Sequence, residues 1–177
     1  MRTLECENGQ WVETKRELLL EGSSWRYADG VIYYQAPLSK DWHSHQWRAK
    51  KFCGATLAVI HSAAQNQAVV TASAGRVAWI GLQVGGGLGP YPNANLRWVD
   101  GSPVGFHSVA VSSTEKAIIN RLWKLNTNDN WAINCQSTNC KRVFCIVINW
   151  SASGKTGKWD DQECRATHNA VYSIPLV

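Results

Sequence analysis

The sequence predicts one packed domain of short strands mixed with two helices, and three observations support this. A length of 177 residues suits one hydrophobic core and leaves no room for two. The composition, 45% hydrophobic and 18% charged, is typical of a globular chain and excludes global disorder. Short β-branched and aromatic runs alternate with two amphipathic patterns, and no apolar run approaches the roughly 20 residues that span a bilayer.

The first third of the chain is predicted to hold an extension, a strand and a helix. Turn signals divide residues 1–30 into short segments, which we interpret as an N-terminal extension. Residues 31–34 follow as a strand. Ser39 is the predicted N-cap of an amphipathic helix that extends through Phe52 and ends near Gly54. Its inward positions are predicted to be Trp42, Trp47, Ala49, Phe52 and Cys53.

A second helix and several strands complete the predicted elements. Ser62 is expected to cap a helix over residues 63–73, with Ala64, Ala68 and Val69 facing inward. The β-branched and aromatic runs between turn signals predict further strands. These are residues 57–60, 79–82, 96–99, 143–148, 158–159 and 171–174.

Five short segments occur along the chain in a specific order. They are residues 53–62 followed by Gln65-Asn66, residues 79–82, residues 98–103 with Phe106, residues 145–148, and residues 157–164. In this order they resemble the C-type lectin-like domain over residues 31–177, with a polar insert at about 107–130. The resemblance implies an α+β loop-in-a-loop fold, in which two helices flank two small antiparallel sheets. The N- and C-terminal strands would pair, and the upper sheet would carry a long, irregular binding loop.

Ten tryptophans stand against three phenylalanines, which is an unusual ratio. Trp79, Trp98 and Trp159 neighbour apolar or glycine positions, so we expect them to fill the core, while Gly81 lets a backbone pass closely. The tryptophans in more polar surroundings are candidates for ligand contact as well as for packing: Trp42, Trp123, Trp131 and Trp150.

Six cysteines allow three disulfides, a metal site or reduced thiols. Cys135, Cys140 and Cys145 are separated by four residues each time, and the absence of a C-x-x-C pair disfavours structural zinc. Oxidised pairs fit better and favour an extracellular protein.

The resemblance implies the pairing Cys145–Cys164. It also implies a disulfide from Cys53 to the C-terminal region, but Tyr172 occupies the expected position of that partner. Cys53 therefore needs another partner or stays a buried thiol, and we predict Cys6–Cys53 because Cys6 is the cysteine left over. The remaining pair closes a short loop: Cys135–Cys140.

The resemblance also defines where a calcium-dependent sugar site would lie. Its Glu-Pro-Asn or Gln-Pro-Asp triplet is replaced by residues 136–138, and Phe144 stands before Cys145 where a Glu is expected. The acidic pair Asp160-Asp161 survives and is the candidate metal ligand, against the simpler interpretation of solvated turn carboxylates. Since Ca²⁺ needs several oxygen ligands, we disfavour it as a cofactor. The candidate ligand-binding residues are Trp131, Asn134, Gln136, Asn139, Asp160 and Asp161.

Other features narrow the function. His43 and His45 are two residues apart and do not share a helix face, which disfavours a metal site there. No catalytic arrangement stands out, so we predict that the protein is not an enzyme. The net charge of +5 favours anionic partners, but no nucleic-acid motif accompanies it. Asn149 begins a glycosylation sequon that we expect on an exposed loop.

Together these features predict a secreted or cell-surface recognition domain. It would bind a glycan or glycoprotein through residues 132–144 without the usual calcium site. The alternative is a structural or assembly module that packs against partner chains in an extracellular coat, fibre or matrix through the extension and the insert.

Overall fold

The computed structural model describes residues 3–7, 10–14, 25–52, 54–85, 95–106, 144–149 and 156–176. Within these ranges the chain forms ten strands and two helices, and the predicted α+β class is confirmed. The predicted insert at 107–130 lies outside the described residues. The elements are β1 (Thr3–Glu7), β2 (Gln10–Thr14), β3 (Trp25–Ala28), β4 (Val31–Lys40), α1 (Trp42–Lys51), β5 (Thr56–Leu57), α2 (Ala63–Ala72), β6 (Ala78–Gly85), β7 (Asn95–Trp98), β8 (Phe144–Ile148), β9 (Trp159–Glu163) and β10 (His168–Pro175).

One mixed sheet organises the domain, in the order β3-β4-β10-β6-β8-β9, with β5 beside β10 and β7 beside β6. The strands near the two ends of the domain, β4 and β10, pair antiparallel as the resemblance implies. A short parallel contact between β10 and β6 joins the lower and upper regions. The two antiparallel sheets expected from the resemblance are therefore continuous.

The N-terminal segment contributes two different pieces. Strands β1 and β2 pair with each other as a separate two-stranded sheet. Strand β3 falls within residues 1–30, yet it pairs antiparallel with β4 and lies at the edge of the main sheet. Part of the segment interpreted as an extension thus belongs to the main sheet.

The helices begin at polar caps, one of which differs from the prediction. The side chain of Ser62 accepts a hydrogen bond from the amide of Gln65, as expected for the N-cap of α2. The prediction of Ser39 as the cap of α1 is wrong, because β4 continues to Lys40, which pairs with His168. Asp41 caps α1 instead.

The core packs against both faces of the sheet. One cluster holds Trp98, Trp159 and the buried apolar residues of α2, and the other holds Trp42, Trp79 and Tyr172. The three tryptophans predicted for the core are all buried. Ala64, predicted to face inward, is exposed. The buried residues of α2 are Gln65, Ala68, Val69, Val70 and Ala72.

Gly81 allows β6 to pass close to β5. A Cβ atom at this position would lie 2.6 Å from the carbonyl oxygen of Leu57 and 2.8 Å from Cγ2 of Val99. The amide of Gly81 donates to the carbonyl of Ala58 at 2.8 Å. The predicted close passage is confirmed, and a larger residue would force the strands apart.

Candidate functional site

A disulfide joins β8, the strand that follows the predicted ligand loop, to the end of β9. Cys145 on β8 is bonded to Cys164, which follows β9, with their Cα atoms 5.0 Å apart. This pairing is confirmed. It closes a segment with a sequence separation of 19, for which the chain-entropy model gives about 3 kcal/mol of stabilisation. The pairs Cys6–Cys53 and Cys135–Cys140 stay predictions, because Cys53, Cys135 and Cys140 lie outside the residues that the structure describes.

Trp159 at the start of β9 connects the upper sheet to α2. Its indole N–H donates to Oδ1 of Asn66 at 2.8 Å, and Nδ2 of Asn66 donates to the carbonyl of Gly157 at 2.8 Å. Trp98 and Phe106 contact the Trp159 ring edge-on, with centroids 5.5 and 5.8 Å away. A buried aromatic cluster therefore supports this end of the sheet.

Both ends of the segment 107–143 are fixed on this cluster and sheet. Phe106, the last described residue before the segment, packs on Trp159. After it, Phe144 begins β8 and its backbone pairs with Val84 and with Glu163. Four predicted ligand residues, Trp131, Asn134, Gln136 and Asn139, lie in the segment and thus outside the described residues.

The acidic pair lies in β9, beside the disulfide. Asp160 pairs with Val147 and its side chain is only 2% exposed, so the interpretation of a solvated turn carboxylate is wrong for this residue. For Asp161 the structure describes the backbone, which pairs with Ile146. Within the described ranges, no three His, Cys, Asp or Glu residues gather in a way that could hold a metal ion.

Asn149 is buried, so its expected position on an exposed loop is wrong. It is 6% exposed and has a positive φ of 63°. Its Nδ2 donates to Oγ of Ser73 and to the carbonyl of Arg76, both at 3.0 Å, and its Oδ1 accepts from the amide of Gly157 at 2.7 Å. A glycan on Nδ2 is incompatible with this arrangement, because both donor positions of the amide are used inside the fold.

A cleft that the sequence prediction missed lies along α1. It has a volume of about 470 Å³ and is lined by Lys40, His43, Ser44, Trp47 and Arg48. Trp47 is 59% exposed, the most of the exposed large hydrophobic side chains in the described part of the chain. Nζ of Lys51 lies 3.5 Å from the centre of its ring, a cation–π contact.

The two tryptophans of α1 have opposite environments. Trp42, a candidate for ligand contact in the sequence, is 3% exposed, and its indole N–H donates to the carbonyl of Ile80 at 2.8 Å. Trp47, predicted to face inward, faces solvent. The spacing in the sequence could have predicted this difference. Residues five apart on a helix point in directions about 140° apart around its axis, so they cannot both face the core.

A buried histidine joins α1 to β10. The ring nitrogens of His45 lie 3.0 Å from the hydroxyl of Tyr172 and 2.9 Å from the carbonyl of His168. Burial lowers the pKa of His45 and that of His168, and it raises the pKa of Tyr172 to about 12. His45 is thus a satisfied core residue, and His43 lines the cleft instead.

Comparisons with known proteins agree with this architecture. Residues 43–171 match the Lectin C-type domain family. The lectin BRA-3 of Megabalanus rosa is 24% identical over 154 residues, which cover 86% of this chain and 76% of that protein. The herring type II antifreeze protein has a TM-score of 0.58 at 21% identity and covers 88% of this chain and 98% of its own. The mouse scavenger receptor C-type lectin carbohydrate-recognition domain has a TM-score of 0.57 at 19% identity, with 88% and 96% covered. Because the family match spans well over half of the sequence, the chain belongs to the C-type lectin domain family.

Proposed function

We propose that this chain is an extracellular, non-enzymatic recognition domain that binds a glycan or glycoprotein through residues 132–144. The observation that carries the proposal is the rigid support at both ends of the segment 107–143. Phe106 packs on the buried aromatic cluster, and Phe144 enters a strand that a disulfide ties to Cys164. Binding residues are commonly placed on loops that a rigid scaffold positions. Similarity to a lectin, BRA-3, supports a saccharide as the ligand.

The proposed recognition does not use calcium. Neither Phe144 nor the residues at 136–138 supply the carboxylates and the proline of a sugar-binding calcium site. Asp160 exposes only 2% of its surface, which leaves it little area for contact with a ligand. Amides at Asn134, Gln136 and Asn139 offer both donors and acceptors to sugar hydroxyls instead.

An extracellular location fits the chemistry of the chain. A disulfide such as Cys145–Cys164 persists in oxidising compartments and is rare in the cytosol. In the ranges that the structure describes, neither helix has the length and apolar character needed to cross a bilayer.

A glycan array probed with and without calcium tests the proposal. We expect the same glycans to bind in millimolar Ca²⁺ and in EDTA, and Gln136→Ala to weaken binding while Gln67→Ala, an exposed amide on α2, leaves it unchanged. Signals that disappear in EDTA would contradict calcium independence.

A second candidate, an assembly module, would follow from a different result. Similarity to the herring structure, described as an antifreeze protein, is a reason to retain it, because this fold is not tied to sugars. An array with no hits in either condition, together with concentration-dependent association of the chain, would favour assembly over glycan recognition.

A further inference from the structure

The cleft on α1 combines a flat aromatic surface with a concentration of positive charge. Trp47 exposes 59% of its side chain. Lys40 and Arg48 line the same cleft, and Lys51 lies over the indole ring. Helix α1 has three basic residues in its last turn and no acidic residue in its first. The cleft therefore presents cations around a hydrophobic platform.

The cap of α1 supplies one carboxylate, Asp41, which offsets part of this positive charge. Asp41 accepts hydrogen bonds from the amide and the hydroxyl of Ser44, and these bonds lower the pKa of its carboxyl group. The first turn of the helix therefore holds the Asp41 carboxylate in place at the cap. Lys40 and Arg48 line the cleft and Lys51 lies over the indole, so the positive charges at the cleft exceed this single carboxylate.

We infer that this cleft binds a sulfated saccharide, independently of the proposed loop site. The apolar face of a pyranose ring would pack on the indole of Trp47, and its sulfate groups would lie against Arg48 and Lys40. A guanidinium presents paired donors that match the oxygens of such an anion. The cleft is open to solvent, and its volume of about 470 Å³ leaves room for a saccharide unit to lie across it.

Two other anionic ligands fit the cleft less well. Single-stranded nucleic acids bind to basic grooves in which successive bases stack on several aromatic rings. Among the residues that line this cleft, Trp47 is the one large aromatic ring, and the smaller imidazole of His43 lies edge-on to Trp42. An acidic peptide would satisfy the cations but offers no flat ring for the indole. A saccharide that carries both a ring face and sulfates uses both features.

The test measures binding of a size-defined, fully sulfated heparin oligosaccharide by calorimetry. We expect Trp47→Ala and Arg48→Gln each to weaken binding roughly tenfold, because each removes a stacking or charge-assisted contact. Trp47→Phe should retain part of the affinity. Thermal melts would verify that the variants fold, which is expected because both side chains are exposed.

Lys50→Gln is the matched control. Lys50 is exposed on the same helix but does not line the cleft, so its replacement removes the same charge without removing a contact. We expect it to change the affinity less than twofold. Equal losses for Lys50→Gln and Arg48→Gln would overturn the inference, since they would show attraction to the overall charge of α1.

Further ligands and one loop variant separate this site from the alternatives. The desulfated oligosaccharide should bind at least tenfold more weakly. The assignment to a saccharide would be overturned if polyglutamate or single-stranded oligothymidylate bound as tightly as the sulfated probe. It would also be overturned if the wild-type chain did not bind the probe. Gln136→Ala should leave the affinity for the sulfated probe unchanged. Loss of binding in this variant would place the sulfated ligand at the loop and refute the α1 site, whatever the outcome for the loop proposal.

Discussion

Replacing Asn149 with alanine is expected to lower the free energy of unfolding by about 4 kcal/mol. The substitution removes three buried hydrogen bonds, to Ser73, Arg76 and Gly157. A typical net contribution of about 1 kcal/mol each gives about 3 kcal/mol. The positive φ of 63° adds about 1 kcal/mol, because alanine adopts this conformation at a higher cost than asparagine does. Such a loss is large against a total of 5–15 kcal/mol for a typical domain.

Two further variants separate the two contributions. Asn149→Gly loses the same bonds but accepts a positive φ, so it should be about 1 kcal/mol more stable than Asn149→Ala. Asn149→Asp keeps an acceptor for the amide of Gly157 and loses both donors, so a loss of at least about 2 kcal/mol is expected. Gln67→Ala, which removes an exposed amide from α2, serves as the control and should change stability by less than about 0.5 kcal/mol.

Urea denaturation followed by tryptophan fluorescence measures these differences, with linear extrapolation to water. Mass analysis of protein from a glycosylating host adds an independent check, since we expect the folded, secreted protein to carry no glycan at Asn149. A loss below about 1 kcal/mol for Asn149→Ala, or an occupied sequon in the folded protein, would refute the reasoning.

Three further perturbations have defined outcomes. Gly81→Ala should destabilise the domain by about 3 kcal/mol in urea denaturation, because its Cβ would lie 2.6 Å from a backbone oxygen of β5. Gly105→Ala is the control and should be near neutral, because a Cβ atom there would meet nothing within 4 Å. The pKa of both His45 and His168 is lowered on folding, so the unfolded chain binds more protons below about pH 6.5. The free energy of unfolding should therefore be at its full value above that pH and fall as the pH drops from there toward 5; a flat profile would contradict the burial of these rings. Trp159→Phe should cost roughly 2–3 kcal/mol in the same assay, since it removes the indole N–H and part of the ring from the buried cluster, and a neutral result would refute the role of that cluster.

The elements that local sequence determines were predicted well. Ser62 is followed by a helical pattern and caps α2 as expected. The sequence around Ser39 suggested a cap equally well, but pairing between Lys40 and His168 keeps that segment in β4. Local propensity cannot anticipate a partner that lies more than a hundred residues away, so the start of α1 was predicted too early.

The candidate site was also predicted correctly only in part. The pairing Cys145–Cys164 followed from the resemblance and is confirmed. Asn149 was misplaced because a sequon reports only three residues, whereas the burial of this side chain depends on Ser73 and Arg76. The cleft was missed because Trp47 was assigned to the inward face of its helix.

The contacts between α1 and the C-terminal part of the chain explain how the helix is held without the long-range disulfide of the resemblance. Tyr172 occupies the position expected for a cysteine, and its hydroxyl lies 3.0 Å from the ring of His45. The amide of Trp42 donates to the carbonyl of Cys164 at 3.1 Å, which links the same helix to the disulfide beside β9. A hydrogen bond contributes about 1 kcal/mol, less than the 2–4 kcal/mol typical of a disulfide. Among the contacts of the described residues, the buried faces of Trp42, His45 and Ala49 therefore supply most of the attachment of α1, which leaves its opposite face, with Trp47 and the basic residues, available for a ligand.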